Sequence, residues 1–309
     1  MNSLKYRSQH EWRRNGILLM IAASLLFSFM GALVKYTTAR LPVAEAAFFR
    51  AFISLLMITP WMLWKRIPLI GKNLQLLLLR GGAGFIALCL SFYVTSKIEL
   101  STASILNHSS TLFVAIFSAF FLKEKVSTPL IVYIVCALIG AALIVKPSFG
   151  VINVPGLLGL ASGFFAAIVY ISIKQLHKTD SFFTIVFSFS LISSVGSIVL
   201  FYNDFIPPTS IEWVALIGLG SFGTFAQLLM TYAYKYTEAS IVSPYSFSGV
   251  LFSSLLGVLF WREIPDGWSI LGGLLIVACG IGIMKLKKEK GETAIEYQED
   301  LADLSEDKP

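Results

Sequence analysis

Residues 103–146, ASILNHSSTLFVAIFSAFFLKEKVSTPLIVYIVCALIGAALIVK, have a counterpart in residues 239–285, ASIVSPYSFSGVLFSSLLGVLFWREIPDGWSILGGLLIVACGIGIMK. Both stretches open on Ala-Ser-Ile and run apolar to a charged cluster, Lys123-Glu124-Lys125 in the first and Trp261-Arg262-Glu263 in the second. Both then continue as a Gly-punctuated apolar run that ends on Lys. Each stretch has the length and pattern of two membrane spans joined by a short charged turn. The chain therefore carries one unit twice.

Working outward from this duplication, apolar runs occupy residues 16–34, 43–64, 74–95, 103–122, 129–145, 156–173, 182–202, 211–234, 239–260 and 268–284. A spanning helix needs ~20 mostly apolar residues. Five spans plus five is the simplest partition. An odd count of five forces the second copy to insert upside down, and inverted repeats are an architecture of alternating-access carriers. The expected organisation is a cytoplasmic N-terminal segment (1–15), a first repeat (16–146), a linker (147–155), a second repeat (156–286) and an acidic, disordered cytoplasmic tail (287–309).

Composition agrees with a life in lipid. The 309 residues are 56% apolar and only 14% charged, with a mean hydropathy of +0.77, too little polar material to cover a water-facing surface. No run alternates with the period of two that a barrel strand requires. The fold class is therefore an all-α integral membrane protein with ten transmembrane helices as two inverted five-helix repeats. The first run is longer than a signal-peptide core and lacks a small-residue cleavage site, so it is expected to be retained. Cys89, Cys136 and Cys279 fall within spans, as apolar residues do, and suggest neither a disulfide framework nor a metal site.

The net charge of +6 reflects orientation rather than a nucleic-acid partner. With the N-terminus in the cytoplasm and ten alternating spans, eighteen of the 24 Lys and Arg residues fall inside, and only Lys35, Arg40, Arg50, Lys97, Lys146 and Arg262 fall outside. Both termini are then cytoplasmic, and the expected location is the inner (plasma) membrane. The tail holds many of the chain's acids and few large apolar residues, the composition of a solvated extension.

At these residues the chain resembles the EamA-type branch of the drug/metabolite transporter superfamily, whose members carry two five-helix repeats. The resemblance rests on residues 238–244 (Glu-Ala-Ser-Ile-Val-Ser-Pro), Leu256-Gly257, Trp261-Arg262-Glu263, residues 271–276, Phe121-Leu122-Lys123-Glu124-Lys125 and Phe48-Phe49-Arg50. The last looks like the second-helix arginine common in that branch. The chain departs from the pattern at Thr111, where the family usually has Pro, and at Phe247, where Tyr is frequent. Without a proline ring, the usual cause of a kink in the fourth span is missing.

Charged and strongly hydrogen-bonding groups within spans are costly and normally face protein or water. Arg50 lies about 10 Å into its span, and its planar fork suits a substrate carboxylate or phosphate. A structural pair or a side chain reaching to the headgroups is the competing account. Glu45 is about 140° from Arg50 around the helix, so it belongs to the cavity rim rather than to Arg50. Arg80, near its span's cytoplasmic end, is expected to snorkel. Asn107 and His108 lie roughly 7 Å into the fourth span, followed by Ser109, Ser110 and Thr111. Five successive polar side chains cannot all face lipid. His108 is the candidate for coupling transport to protons, with an interhelical hydrogen bond as the alternative.

In the second half, Pro244 is the expected helix break, since a proline frees a backbone carbonyl near the midplane. Tyr245, Gln227 and Tyr232 complete the expected substrate-binding set with Arg50, Asn107 and His108. Tyr93 and Tyr170 join Glu45 as rim candidates, or belong to an interfacial aromatic belt. Glu124 and Glu263 fall at span ends, where ion pairs with Lys125 and Arg262 account for them.

Rival classes lack their chemistry. No His is followed five residues on by Asp, no pair of Asp motifs lies in a span, and no Gly-x-x-x-x-Gly-Lys loop occurs. No filter-like or charge-ring sequence suggests a channel. The expectation is a secondary-active carrier, not an enzyme, with no catalytic residues, metal or cofactor. Its partners are the lipid bilayer and a small polar or amphipathic metabolite, with proton or exchange coupling as the driving force. The resemblance implies export of an amino acid or related metabolite, or alternatively uptake of S-adenosylmethionine or another nucleoside-like or vitamin cofactor. The run around Phe92-Tyr93 and Thr102-Ala103-Ser104 looks more like the second group.

Overall fold

The computed structural model describes residues 2–110, 113–114, 117, 128–145, 154–236, 245–246, 248–279, 281–282 and 285. Among these residues there are ten helices and no strand. They are α1 (Asn2–Thr37), α2 (Val43–Trp64), α3 (Leu74–Lys97), α4 (Leu100–His108), α5 (Thr128–Val145), α6 (Val154–Leu176), α7 (Phe182–Phe201), α8 (Ser210–Tyr236), α9 (Ser248–Trp261) and α10 (Gly267–Cys279). Six of them, in α1, α2, α3, α6, α7 and α8, are long and apolar enough to cross a membrane. The two repeats contribute five helices each. Residues 147–153 of the repeat joint, Glu124, Thr111, Pro244, Phe247 and the acidic tail lie outside the described residues.

Local chemistry places the helix ends. The Asn73 side chain accepts the Leu76 N–H at the start of α3, and the Ser181 hydroxyl accepts the Thr184 N–H at the start of α7. The Asp266 carboxylate does the same for the Ser269 N–H in α10. Each satisfies an N–H that the first turn leaves free. At the other end, α2 and α9 stop at Arg66 and Arg262, which take up left-handed backbone (φ 53° and 54°) that a side chain normally disfavours. Past Arg66, the Ile67 N–H returns to Met62 O at 2.8 Å and closes the last turn.

The outer faces carry the large apolar side chains, among them Leu56, Leu63, Leu78, Val195, Val199 and Leu251, all exposed. The interior mixes large apolar side chains such as Phe92, Met62 and Leu219 with many small and polar ones, among them Ser54, Ser190 and Thr231. Leu and Val gain nothing from one another in lipid, so close backbone approach and hydrogen bonds must hold the helices together. A Cβ on Gly220 in α8 would stand 2.6 Å from Ile53 Cβ in α2, so only glycine lets these two helices come this close. Between α1 and α9, Ser28 Oγ reaches both Ser24 O (2.9 Å) and Gly249 O (3.0 Å), and Ser253 Oγ donates to Ser28 Oγ (3.2 Å).

The packing pairs repeat with a twofold relation. α1 packs on α8 as α6 packs on α3; α2 on α8 as α7 on α3; and α1 on α9 as α6 on α4. α2 packs on α7, its own counterpart, and the Ser54 and Ser190 hydroxyls meet there at 3.0 Å. The α2–α7 pair therefore lies on the pseudo-axis, and the two repeats enclose a shared centre.

The fourth span is interrupted even though it lacks the family's proline. α4 ends at His108, and the Ser109 N–H bonds three residues back, to Leu106 O at 3.1 Å. This turn lies against Gly163 of α6, where a Cβ would come within 3.0 Å of Ser110 N and 3.3 Å of Leu106 O. The bare backbone of a neighbouring helix thus makes room for an irregular turn at membrane depth.

Candidate functional site

A cavity of about 180 Å³ opens where α1, α2, α3, α4, α6, α7, α8 and α9 converge, with walls from both repeats. Its apolar lining comes from residues such as Met30, Leu88, Phe92, Val169 and Met230. Polar groups stand at a few places on this apolar surface, the usual character of a small-molecule site.

Arg50 projects from α2, is 2% exposed and lies with its Cζ 4.7 Å from the centroid of the Phe189 ring. Its Nη2 donates to Gln227 Oε1 at 3.3 Å, while Nε and Nη1 have no hydrogen-bond partner among the described residues. Gly223 in α8 gives it room, since a Cβ there would be 3.1 Å from Arg50 Nε. Gln227 Nε2 likewise has no hydrogen-bond partner among the described residues. Asn107 faces Ser162, whose hydroxyl is 3.1 Å from both Asn107 Oδ1 and Ala87 O. His108 Nδ1 lies 3.3 Å from Ser246 Oγ, so the end of α4 meets the residues that precede α9 at the cavity wall.

The cavity thus brings together Arg50, Asn107, His108, Gln227 and Tyr170. Other candidates stand elsewhere. Tyr232 lies against the Phe182 ring (centroids 5.1 Å apart), and Tyr245 is 37% exposed; neither is part of the cavity wall. Tyr93 faces Lys97 Nζ at 5.9 Å, also away from the wall. Glu45 is buried and accepts the Ile206 N–H at 3.1 Å, which ties α2 to the segment before α8. Glu263 pairs with Lys35, not with the adjacent Arg262, because the left-handed turn at Arg262 directs the chain back across the bundle.

Arg80 departs furthest from its expected place. It does not snorkel: it is 1% exposed, lines the cavity and holds its Cζ 4.2 Å from the same Phe189 ring. A sequence signal for this exists. Gly84 sits one helical turn on, and a Cβ there would lie 2.9 Å from Arg80 Nη1, so the glycine lets the guanidinium fold inward along its own helix. Phe189 carried no such signal, being one of 25 phenylalanines.

A family of membrane proteins shares this layout. The sequence model of the EamA-like transporter family matches residues 14–146 and again residues 154–284. This chain belongs to the EamA-like transporter family. Among EamA relatives, the pseudopaline exporter CntI of Pseudomonas aeruginosa is 38% identical over 277 residues, which span 89% of this chain and 98% of the relative. The S-adenosylmethionine uptake transporter of Rickettsia prowazekii is 24% identical, spanning 92% and 97%. Solute carrier family 35 member G1 of Homo sapiens is 25% identical, spanning 86% and 78%. A solved crystal structure superposes with a TM-score of 0.65 at 19% identity, covering 89% of this chain and 98% of the other, a likeness of fold. The EamA protein described here is therefore a multi-pass membrane transporter of a small molecule, and its family and relatives are transporters, not enzymes.

Proposed function

We propose that this transporter exports a small amino-acid-related metabolite bearing a carboxylate, by alternating access of its two inverted repeats around the central cavity. The observation that carries the reading is Arg50, whose fully buried guanidinium keeps two unpaired nitrogens at the cavity. A desolvated cation with no counter-charge and two unsatisfied donors is expensive, and a substrate carboxylate supplies both the charge and the missing hydrogen bonds in the fork's own geometry. Asn107, His108 and Gln227 then bind the rest of the polar substrate. Export as the direction, and pseudopaline or a chemically similar metabolite as the cargo, follow from the 38% identical exporter. The positive-inside distribution supports cytoplasmic termini in the inner membrane, and His108 is the group through which proton coupling would act.

Uptake of S-adenosylmethionine, the activity named for a 24% identical relative, fits the site less well. That molecule also bears a carboxylate, but its ammonium and sulfonium together leave it a net cation, which the buried guanidinium charge disfavours relative to a neutral or anionic metabolite. The test is direct: inside-out vesicles containing the protein should accumulate pseudopaline saturably and show counterflow, while S-adenosylmethionine should neither accumulate nor compete. Accumulation of S-adenosylmethionine alone would reverse the assignment.

A further inference from the structure

The cavity holds more positive charge than one carboxylate neutralises. Arg50 of α2 and Arg80 of α3 are both buried, and both guanidiniums lie on the Phe189 ring, at 4.7 Å and 4.2 Å. Because the two distances end on one centroid, the guanidinium carbons are separated by no more than their sum. Arg80 has no hydrogen-bond partner for Nε, Nη1 or Nη2 among the described residues, and Arg50 none for Nε or Nη1. Among the described residues, no acidic side chain lines the cavity. The described acids within the spans are engaged elsewhere: Glu45 accepts from Ile206, and Glu212 pairs with Arg40.

We propose that Arg80 is a second anion-binding arm of this site and that the substrate carries two carboxylate groups, one for each guanidinium, placed about the Phe189 ring. The inference rests on the reading of Arg50 as the substrate's anchor. Its physical basis is charge balance in a desolvated pocket. A monoanion would leave one guanidinium buried without a partner, whereas a dianion pairs both and relieves their mutual repulsion. Phe189 contributes its ring face to each cation, which holds both forks beside the cavity without competing for their N–H donors. The glycines beside the arginines, Gly84 and Gly223, provide the space this arrangement needs.

The test uses purified full-length protein and matched probes: the diacids from malonate to adipate, each with its monoamide, titrated calorimetrically and by thermal unfolding. Wild type should bind the best diacid about 10-fold more tightly than its monoamide, the worth of one charge-assisted contact. Arg80→Gln should erase that preference by weakening the diacid to the affinity of its monoamide in the same variant, and Arg80→Lys, which keeps the charge, should restore part of it. Unliganded melting temperatures of both variants verify folding. Equal binding of diacid and monoamide by wild type, a preference retained in Arg80→Gln, or no binding of any diacid would each overturn the inference. If Arg50→Gln abolishes monoamide binding while Arg80→Gln matches wild type throughout, the carboxylate-anchor reading stands and this one falls. If monoamide binding is indifferent to Arg50, the anchor reading itself falls.

Discussion

Lys35 of α1 and Glu263, just past α9, form an ion pair that joins the two repeats at one end of the cavity. The same two side chains also hold the chain between α3 and α4: Lys35 Nζ donates to Ile98 O at 2.8 Å, and Glu263 Oε2 accepts the Leu100 N–H at 2.9 Å. Three of the helices that line the cavity, α1, α4 and α9, are therefore fastened to one another by two side chains.

Breaking this fastening should loosen that end of the cavity without unfolding the protein. Glu263→Gln removes the charge and keeps a hydrogen-bond acceptor, at a cost of about 1 kcal/mol for a partly exposed pair. In a background lacking the native cysteines, a cysteine placed at Thr95 should react several-fold faster with a membrane-impermeant maleimide once Glu263→Gln is added. An unchanged labelling rate would show that the pair does not control access.

Arg50→Ala should abolish transport in proteoliposomes while membrane abundance stays at the wild-type level, because the side chain's donors are directed at the cavity rather than at a structural acid. Arg50→Lys should keep a reduced flux, since a point charge replaces the fork. Wild-type flux in Arg50→Ala would remove the residue from the site.

His108 can be separated from its hydrogen-bonding role by His108→Gln, which can still meet the Ser246 hydroxyl. The variant should retain counterflow but lose accumulation driven by an imposed proton gradient. Equal gradient-driven accumulation by both proteins would assign coupling to another group.

Gly220→Val should be among the most destabilising single changes in the bundle. Its Cβ would be forced against Ile53 at 2.6 Å, and overpacking of this kind costs about 1–3 kcal/mol. A melting temperature in detergent within a degree or so of wild type would contradict the close α2–α8 approach.

The duplication, the helical class and the count of ten helices could be read directly from the chain, because membrane-length apolar runs and a repeated signature are local properties of sequence. Arg50, Asn107, His108 and Gln227 could be picked out as polar groups inside apolar runs, and the structure places all four on one cavity. Tyr232 and Tyr245 carried the same kind of signal but face elsewhere, since helix rotation is set by packing partners that a single span does not reveal. Arg80 was hidden by its position: a cation near a span's end can snorkel or fold inward, and only Gly84 one turn on distinguished the two. The partner of Glu263 depended on a left-handed residue at Arg262 and on the approach of α1, both tertiary facts. The break after His108 had no proline to announce it, and the glycine that leaves room for it, Gly163, lies on α6.

The shared ring at Phe189 has a consequence for how the carrier registers its cargo. The two cations come from the N-terminal half of the chain, while the phenyl face and the Gln227 amide come from the C-terminal half. A substrate bound as proposed would be gripped by both halves together, so its loading would be felt at once on each side of the seam along which alternating access requires the two to part.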